Sequence, residues 1–244
     1  MNEQKQLLAR RTDYSVSIFD PNYIAYKFLI PDLKSAINTY ASGTVLDIGC
    51  GNKPYLSFFP KDITQYIGCD IEQSSLKLVD IICPATDLKI QDNSMDTVFC
   101  TQVLEHVYDH KKAFFEISRV LKPNGYIIGS LPMTWPHHEE PYDFFRFTKY
   151  GLTELMREVG LTPVYIKANG GKWALTGQML MLSFTEKPKH PSILSKVKNI
   201  LFRATLGKVW LNLIFSTLDR LSSHDKEHNT LNFVFVARKE KNVV

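Results

Sequence analysis

Two aspartates and a pair of glycines are the residues of this 244-residue chain best placed to do chemistry. Asp47, Gly49 and Gly51 stand at alternate positions in Thr44-Val45-Leu46-Asp47-Ile48-Gly49-Cys50-Gly51-Asn52. Glycines at that spacing let a chain turn sharply and let a ligand approach where a Cβ would collide. Asp70 closes the next apolar stretch, Gln65 to Cys69. A carboxylate there can accept hydrogen bonds from both hydroxyls of a ribose. Asp70 could instead cap a following helix, but its pairing with the Asp47 turn favours ribose binding.

The departures from a dinucleotide site decide the ligand. G-x-G-x-x-G rests a pyrophosphate on backbone amides, yet Pro54 occupies the third glycine position counted from Gly49. Asp47 would repel a pyrophosphate. It suits a ligand carrying an ammonium and a sulfonium, which points to S-adenosylmethionine rather than NAD. The expected contacts are Asp47, Gly49, Cys50 and Gly51 of the turn, Asp70 and Ile71, Ala85, Thr86, Asp87 and Leu88 against the adenine edge, and Thr101 and Gln102 on the opposite wall.

On the acceptor side, Trp135-Pro136-His137-His138-Glu139-Glu140-Pro141-Tyr142-Asp143-Phe144-Phe145-Arg146-Phe147 carries aromatics, acids, two histidines and an arginine. His138 or His137 could take a proton from a hydroxyl, because an imidazole titrates near neutrality. Tyr142 could cover the cofactor or substrate, and Asp143 with Arg146 reads as an ion pair fixing the loop. A purely structural lid is the competing reading. His106, directly after Glu105, is another candidate base, although such a pair more often caps the next helix or orients the cleft wall.

Elements must bring these residues together. Asp20-Pro21 reads as the start of a helix that runs to Pro31, with a second helix from Asp32 to about Tyr40. Strands are expected at Thr44 to Ile48, Gln65 to Cys69, Leu78 to Cys83, Met95 to Cys100, Tyr126 to Leu131, Pro163 to Lys167 and Leu231 to Ala237. A short proline-broken helix is expected around Tyr55 to Phe59. Lys111 to Leu121 is expected to be helical, with Ala113, Phe114, Ile117, Val120 and Leu121 on one face, and Lys122-Pro123-Asn124-Gly125 to end it. A further helix lies within Phe147 to Gly160, capped by Thr148, and Trp173 to Phe184 is also read as helical. Alternating strands and helices predict a doubly wound, mostly parallel sheet.

These motifs resemble the class I SAM-dependent methyltransferases, type-11 branch, over about Thr44 to Lys167. Val45 to Gly51 is similar to the family's first motif, Asp70 to its acid after strand two, and Asp96-Thr97-Val98 with Val103-Leu104-Glu105-His106-Val107 to its fourth. Glu116 to Gly125 resembles the helix and turn before strand five. The resemblance implies a Rossmann-like, seven-stranded sheet with an antiparallel last strand beside the fifth and helices on both faces. It also implies methyl transfer from S-adenosylmethionine. Pro84 stands where many relatives have an acid, so Asp87 or the backbone of Ala85 to Leu88 would meet the adenine. The pattern H-x-x-P-x-D-x-x-R from His138 to Arg146 recurs in relatives linked to surface-glycan assembly. In some quinone-directed relatives a pair like Glu105-His106 binds a metal, but no metal site is expected here.

Hydrophobic content of 44% and charged content of 22% are ordinary for a globular protein. The polar start carries no signal-peptide core, and no apolar run is long enough to cross a bilayer, so a cytoplasmic protein is expected. Cys50, Cys69, Cys83 and Cys100 form no C-x-x-C pair and read as buried thiols. The net charge of +4 is concentrated in Lys187, Lys189, Lys196, Lys198, Arg203 and Lys208, with no acid between Lys187 and Leu218. Ile193, Val197, Ile200, Leu201 and Ala204 suit one helix face there, and Trp210, Leu213, Ile214 and Leu218 another. Residues 190–218 could thus lie on an anionic inner-membrane surface, but a packed helical pair is favoured.

The organisation read from the chain is an N-terminal helical cap (1–43), a cofactor-binding core (44–186) with an acceptor loop (132–147), a basic amphipathic insertion (187–229), and a last strand and tail (230–244). The expected function is methylation of a small-molecule acceptor, a glycan or glycolipid ahead of a quinone or other lipid. Alternatives are a non-catalytic SAM-binding module and an NAD-dependent oxidoreductase. Nucleic acid is not expected as a partner, because no N/D-P-P-Y/F motif follows strand four and no basic patch is interleaved with stacking aromatics. The oligomeric state is not readable.

Overall fold

A computed structural model describes residues 13–185, 202, 206–222 and 228–241. Strands β1 (Thr44–Ile48), β2 (Gln65–Asp70), β3 (Ile81–Ile82), β4 (Met95–Thr101), β5 (Leu121–Pro132), β6 (Leu161–Asn169) and β7 (Asn232–Lys239) form one sheet. Its order is β3-β2-β1-β4-β5-β7-β6. β1 pairs in parallel with β2 and β4, β2 with β3, and β4 with β5. β7 runs antiparallel to β6, as expected of the last strand. The helices are α1 (Tyr23–Tyr40), α2 (His110–Val120), α3 (Lys149–Glu158), α4 (Lys172–Thr185) and α5 (Gly207–Leu221). Parallel strands joined through helices make this a Rossmann-like sheet, and β1 is central with neighbours on both sides.

The described residues fall into two compact units, one of residues 13–14, 32–167 and 233–241, the other drawn from 15–31 and 168–232. In the first, Leu46 and Ile48 of β1, Val98 of β4, Ile127 and Leu131 of β5, Phe114 and Ile117 of α2 and Leu152 and Met156 of α3 share one core cluster. Thr148 caps α3, its Oγ1 accepting from the Gly151 amide at 3.1 Å.

In the second unit, α5 is turned polar side inward. Asn212, Ser216 and Asp219 are buried, while Trp210, Leu213 and Ile214 are exposed. The buried groups have work to do. The Asp219 carboxylate accepts from the amides of Gly171 and Ala174 at the start of α4, and Asn212 Nδ2 donates to the Ile18 carbonyl at 2.7 Å. The first amphipathic face expected in the basic segment lies outside the described residues.

Three expected boundaries are corrected. α1 does not break at Pro31, which lies within it. A proline inside a helix removes one hydrogen bond and costs about 3 kcal/mol. Burial of Ile24, Leu29, Ile30, Leu33 and Ile37 offsets that cost. β3 has only two residues, because the amides of Leu78 and Val79 donate to the Ser74 hydroxyl and the Gln73 side chain instead of to a neighbouring strand. The Lys122-Pro123-Asn124-Gly125 turn lies inside β5 instead of before it. Met95 pairs with Leu121 and Thr97 with Tyr126, so the intervening residues bulge out, with Asn124 at φ 68°.

Candidate active site

The turn after β1 is built as its residue types require. Gly49 and Gly51 adopt φ of 71° and 49°, in the left-handed region. The amides of Gly49 and Cys50 both donate to the Cys69 carbonyl at the end of β2, at 2.8 and 3.0 Å. A Cβ on Gly49 would lie 2.3 Å from Val103 Cγ2, so the turn is pressed against the segment that leaves β4.

Both expected aspartates sit at the carboxyl ends of adjoining strands. Asp47 is 2% exposed and its Oδ2 accepts from the Tyr66 hydroxyl at 2.6 Å. Burial pushes its carboxyl up to about 7, with Tyr66 and Lys53 pulling the other way. A cation beside it would restore the charged form. Asp70 is held by two amides, Oδ2 accepting from Gly51 at 3.0 Å and Oδ1 from Ile71 at 2.8 Å. No helix follows it, since the chain runs through turns to β3, and the helix-capping alternative falls away. Ile71 is 68% exposed, an apolar face beside Asp70.

Ala85 and Leu88 are buried, and Thr86 is half-buried. The Leu88 amide donates to Glu116 Oε2 at 2.8 Å, and Asp87 is exposed and paired with Lys89. Thr101 ends β4, and Gln102 follows at φ 53° with its amide and side chain bonded to Ser130. A non-glycine residue held there is the kind of strain that surrounding structure must impose.

Past β4, a short 3₁₀ turn (Leu104–His106) carries Glu105, which is fully buried. Neither of its side-chain oxygens accepts a hydrogen bond. Burial lifts this carboxyl to about 8, although Arg146 opposes the shift. The loop of residues 132–147 closes over the same residue, the amides of Phe144 and Phe145 both donating to the Glu105 carbonyl. His106 Nδ1 lies 2.9 Å from the Tyr142 carbonyl, and its ring meets that of His138 edge-on at 4.7 Å between centroids. Capping of α2 falls to Asp109, whose carboxylate accepts from the Lys112 amide, so the Glu105-His106 pair is not needed for it.

Asp143 and Arg146 form the expected ion pair, with contacts of 2.6 and 2.7 Å. The guanidinium holds the buried Asp143 carboxyl well below the usual carboxylate range. Arg146 also donates to the carbonyls of Trp135 and Pro136, and Asp143 accepts from the His138 amide at 3.1 Å. Burial and the neighbouring His106 push the His138 imidazole below its ordinary value. His137 and Tyr142 are exposed. A shallow pocket of about 230 Å³ opens among His137, Glu140, Pro141 and Asp143.

Residues 46–129 match the family described as a methyltransferase domain. Residues 46–129 are a methyltransferase domain of the class I, type-11 kind. The chain is 32% identical over 108 residues to a tRNA (carboxymethyluridine(34)-5-O)-methyltransferase of Arabidopsis thaliana, covering 40% of this chain and 26% of that protein. It is 31% identical over 127 residues to thiol S-methyltransferase TMT1B of Homo sapiens, covering 45% and 49%. The chain therefore spans half or less of the length of these curated relatives. A 1,6-didemethyltoxoflavin-N1-methyltransferase of Burkholderia thailandensis, solved with S-adenosylhomocysteine, shares the fold at TM-score 0.54 and 15% identity, over 98% of this chain and 90% of that one.

S-adenosylmethionine is the cofactor of the methyltransferase domain, and the residues present fit it. A buried carboxylate raised toward neutrality, a turn with no room for a Cβ and an aspartate oriented by two amides stand at the ends of β1 and β2. Several contributors escaped the sequence reading. Tyr66 holds Asp47. Lys53 bridges to Asp80, which accepts from the Gly68 amide. Glu116 and Arg119 clamp the loop after β3, Arg119 reaching the carbonyls of Leu88 and Ile90. The i,i+3 Glu-Arg spacing at the end of a helix was the one signal available for that clamp.

Proposed function

We propose that this chain transfers a methyl group from S-adenosylmethionine to a small-molecule nucleophile bound under residues 132–147, a glycan or glycolipid ahead of a quinone or other lipid. The observation that carries the reading is the continuity from turn to loop. The Gly49 turn abuts Val103, Glu105 follows, and Glu105 anchors the loop that brings His138 beside His106. Donor and acceptor sides thus meet at the end of β4.

The cofactor supplies an activated, electrophilic methyl group. Asp47 receives its amino-acid cation, Asp70 its ribose, and Ile71 with Ala85 to Leu88 its adenine. Cys50, Thr101 and Gln102 complete the cleft wall. The protein's main task is then to align the acceptor and exclude water, and alignment can lower a barrier by roughly 7–11 kcal/mol. His138, beside His106 in the loop, is the residue to take the acceptor's proton, with His137, His106 and Tyr142 next in line. Labelled S-adenosylmethionine, incubated with the protein and extracts fractionated into glycan, lipid and nucleic acid, is expected to label glycan or lipid. Label confined to nucleic acid would overturn the acceptor class. His138→Ala is expected to lower turnover by about 10²–10⁴-fold with the cofactor Kd unchanged; unaltered turnover would remove His138 from the mechanism.

The basic segment adds a location. No described helix is long and apolar enough to cross a membrane. The outward apolar face of α5 and the acid-free basic run are complementary to an anionic lipid surface. Co-sedimentation with vesicles containing anionic lipid, absent with neutral lipid, is the expected result. Equal partition with both would leave packing as the only role.

A further inference from the structure

We propose that Glu105, His106 and His138 form a binding site for a first-row divalent transition cation, zinc foremost. One donor atom from each lies within 4.8 Å of the others. The independent observation is the Glu105 carboxylate, which is fully buried with neither oxygen accepting a hydrogen bond. Among the described residues this is the buried acid most in need of a partner. Burying a polar group unpaired is costly, and coordinating a metal is one of the few ways to resolve it.

The histidines are set up to coordinate. His106 Nδ1 lies 2.9 Å from the Tyr142 carbonyl, and His138 Nδ1 lies 3.3 Å from the Pro136 carbonyl. Asp143 Oδ2 is a second acceptor on the same His138 nitrogen, at 3.4 Å. Oxygen acceptors on that side put each ring proton on Nδ1 and leave each Nε2 lone pair free. This is the outer-shell arrangement that orients metal-bound imidazoles. Two nitrogens and one carboxylate oxygen favour zinc or a similar cation over magnesium or calcium. A tetrahedral zinc with bonds of about 2.0–2.2 Å needs donors somewhat closer than they stand, so His138 must draw in with its loop. Glu139 Oε2, 3.9 Å from His106 Nε2, is near enough to become a fourth ligand or to leave that position to an acceptor oxygen.

The binding itself is independent of the methyl-transfer reading; its use, activating the acceptor, rests on that reading. A cation here would make His138 a ligand instead of a proton acceptor, so the test must read metal rather than turnover. The full chain, stripped with chelator, is titrated with zinc by calorimetry and its metal content measured after gel filtration. S-adenosylmethionine binding is measured on the same sample, so loss of one reading is seen separately from loss of the other. One equivalent of zinc per chain is expected. Glu105→Gln and His138→Ala should each weaken it by about 100-fold or more, since even outer-shell changes cost up to about 100-fold. His137→Ala should bind as the parent does. Melting temperatures confirm that each variant is folded, and cobalt replacement gives a visible spectrum that must vanish in His138→Ala. Much less than one equivalent in the folded parent, or equal binding by Glu105→Gln and His138→Ala, would overturn the site.

Discussion

Replacing Gly49 with alanine is expected to weaken S-adenosylmethionine binding by about 100-fold or more. Gly49 sits at φ 71°, where an L-residue pays roughly 1–2 kcal/mol. The new Cβ would also lie 2.3 Å from Val103 Cγ2, a distance no real contact sustains. Relief requires the turn to shift, and the turn positions both Asp47 and the Gly51 amide that orients Asp70. A combined cost near 3 kcal/mol corresponds to about a hundredfold in affinity. The cause can be separated from general damage. In Gly49→Ala/Val103→Ala the remaining neighbour would be the residue 103 Cβ, at 3.4 Å, so part of the affinity should return. Calorimetry on samples with matched melting curves reads both variants. Unchanged affinity in Gly49→Ala would mean that the turn does not carry the cofactor.

The second large effect lies at Asp143. Asp143→Ala removes the carboxylate from both of its contacts with the Arg146 guanidinium and from the His138 amide. Breaking a buried ion pair from one side costs about 3–5 kcal/mol, and here the damage falls on the loop that presents His138. Turnover is expected to fall by about 100-fold or more, as misplaced groups lose their alignment. Cofactor affinity should move by less than about threefold, because Asp47 and Asp70 are untouched by the change. Arg146→Lys should not rescue the loop, since an ammonium cannot make the two-pronged contact. The pair also predicts a pH response. Asp143 is held below its ordinary value, so its contribution to stability is full above the unfolded carboxylate range and is lost only as pH falls through the lower folded value. Thermal melts of the parent and Asp143→Ala should therefore converge in strong acid and separate toward neutrality. A constant difference across the whole range would contradict this.

The core strands were legible because each is a short apolar run closed by a turn residue, and β1 announces itself by the Asp-x-Gly-x-Gly that follows. Asp70 was legible as a strand-end acid for the same reason, and no helix follows it for it to cap. Thr148 was readable as a cap because capping is local chemistry. Pro31 misled because local propensity was outweighed by burial along the whole of α1. Lys122 to Gly125 misled because a turn signal cannot distinguish a loop between elements from a bulge within a strand. The polar inner face of α5 could not be read from apolar spacing, since its buried groups serve the backbone of residues 18 and 171–174. Tyr66 beside Asp47, and Glu105 with His106 beside His138, are pairings across the sheet or between loops. Their spacing along the chain carries no trace of that proximity.

The central claim is that a methyl-donor cofactor binds between the Asp47 turn and Asp70, and calorimetry on the unmodified chain tests it most directly. S-adenosylmethionine and S-adenosylhomocysteine are each expected to bind at one per chain and to raise the melting temperature, while NAD gives no heat. Silence with both sulfur nucleosides, or binding of NAD in their place, would contradict the account.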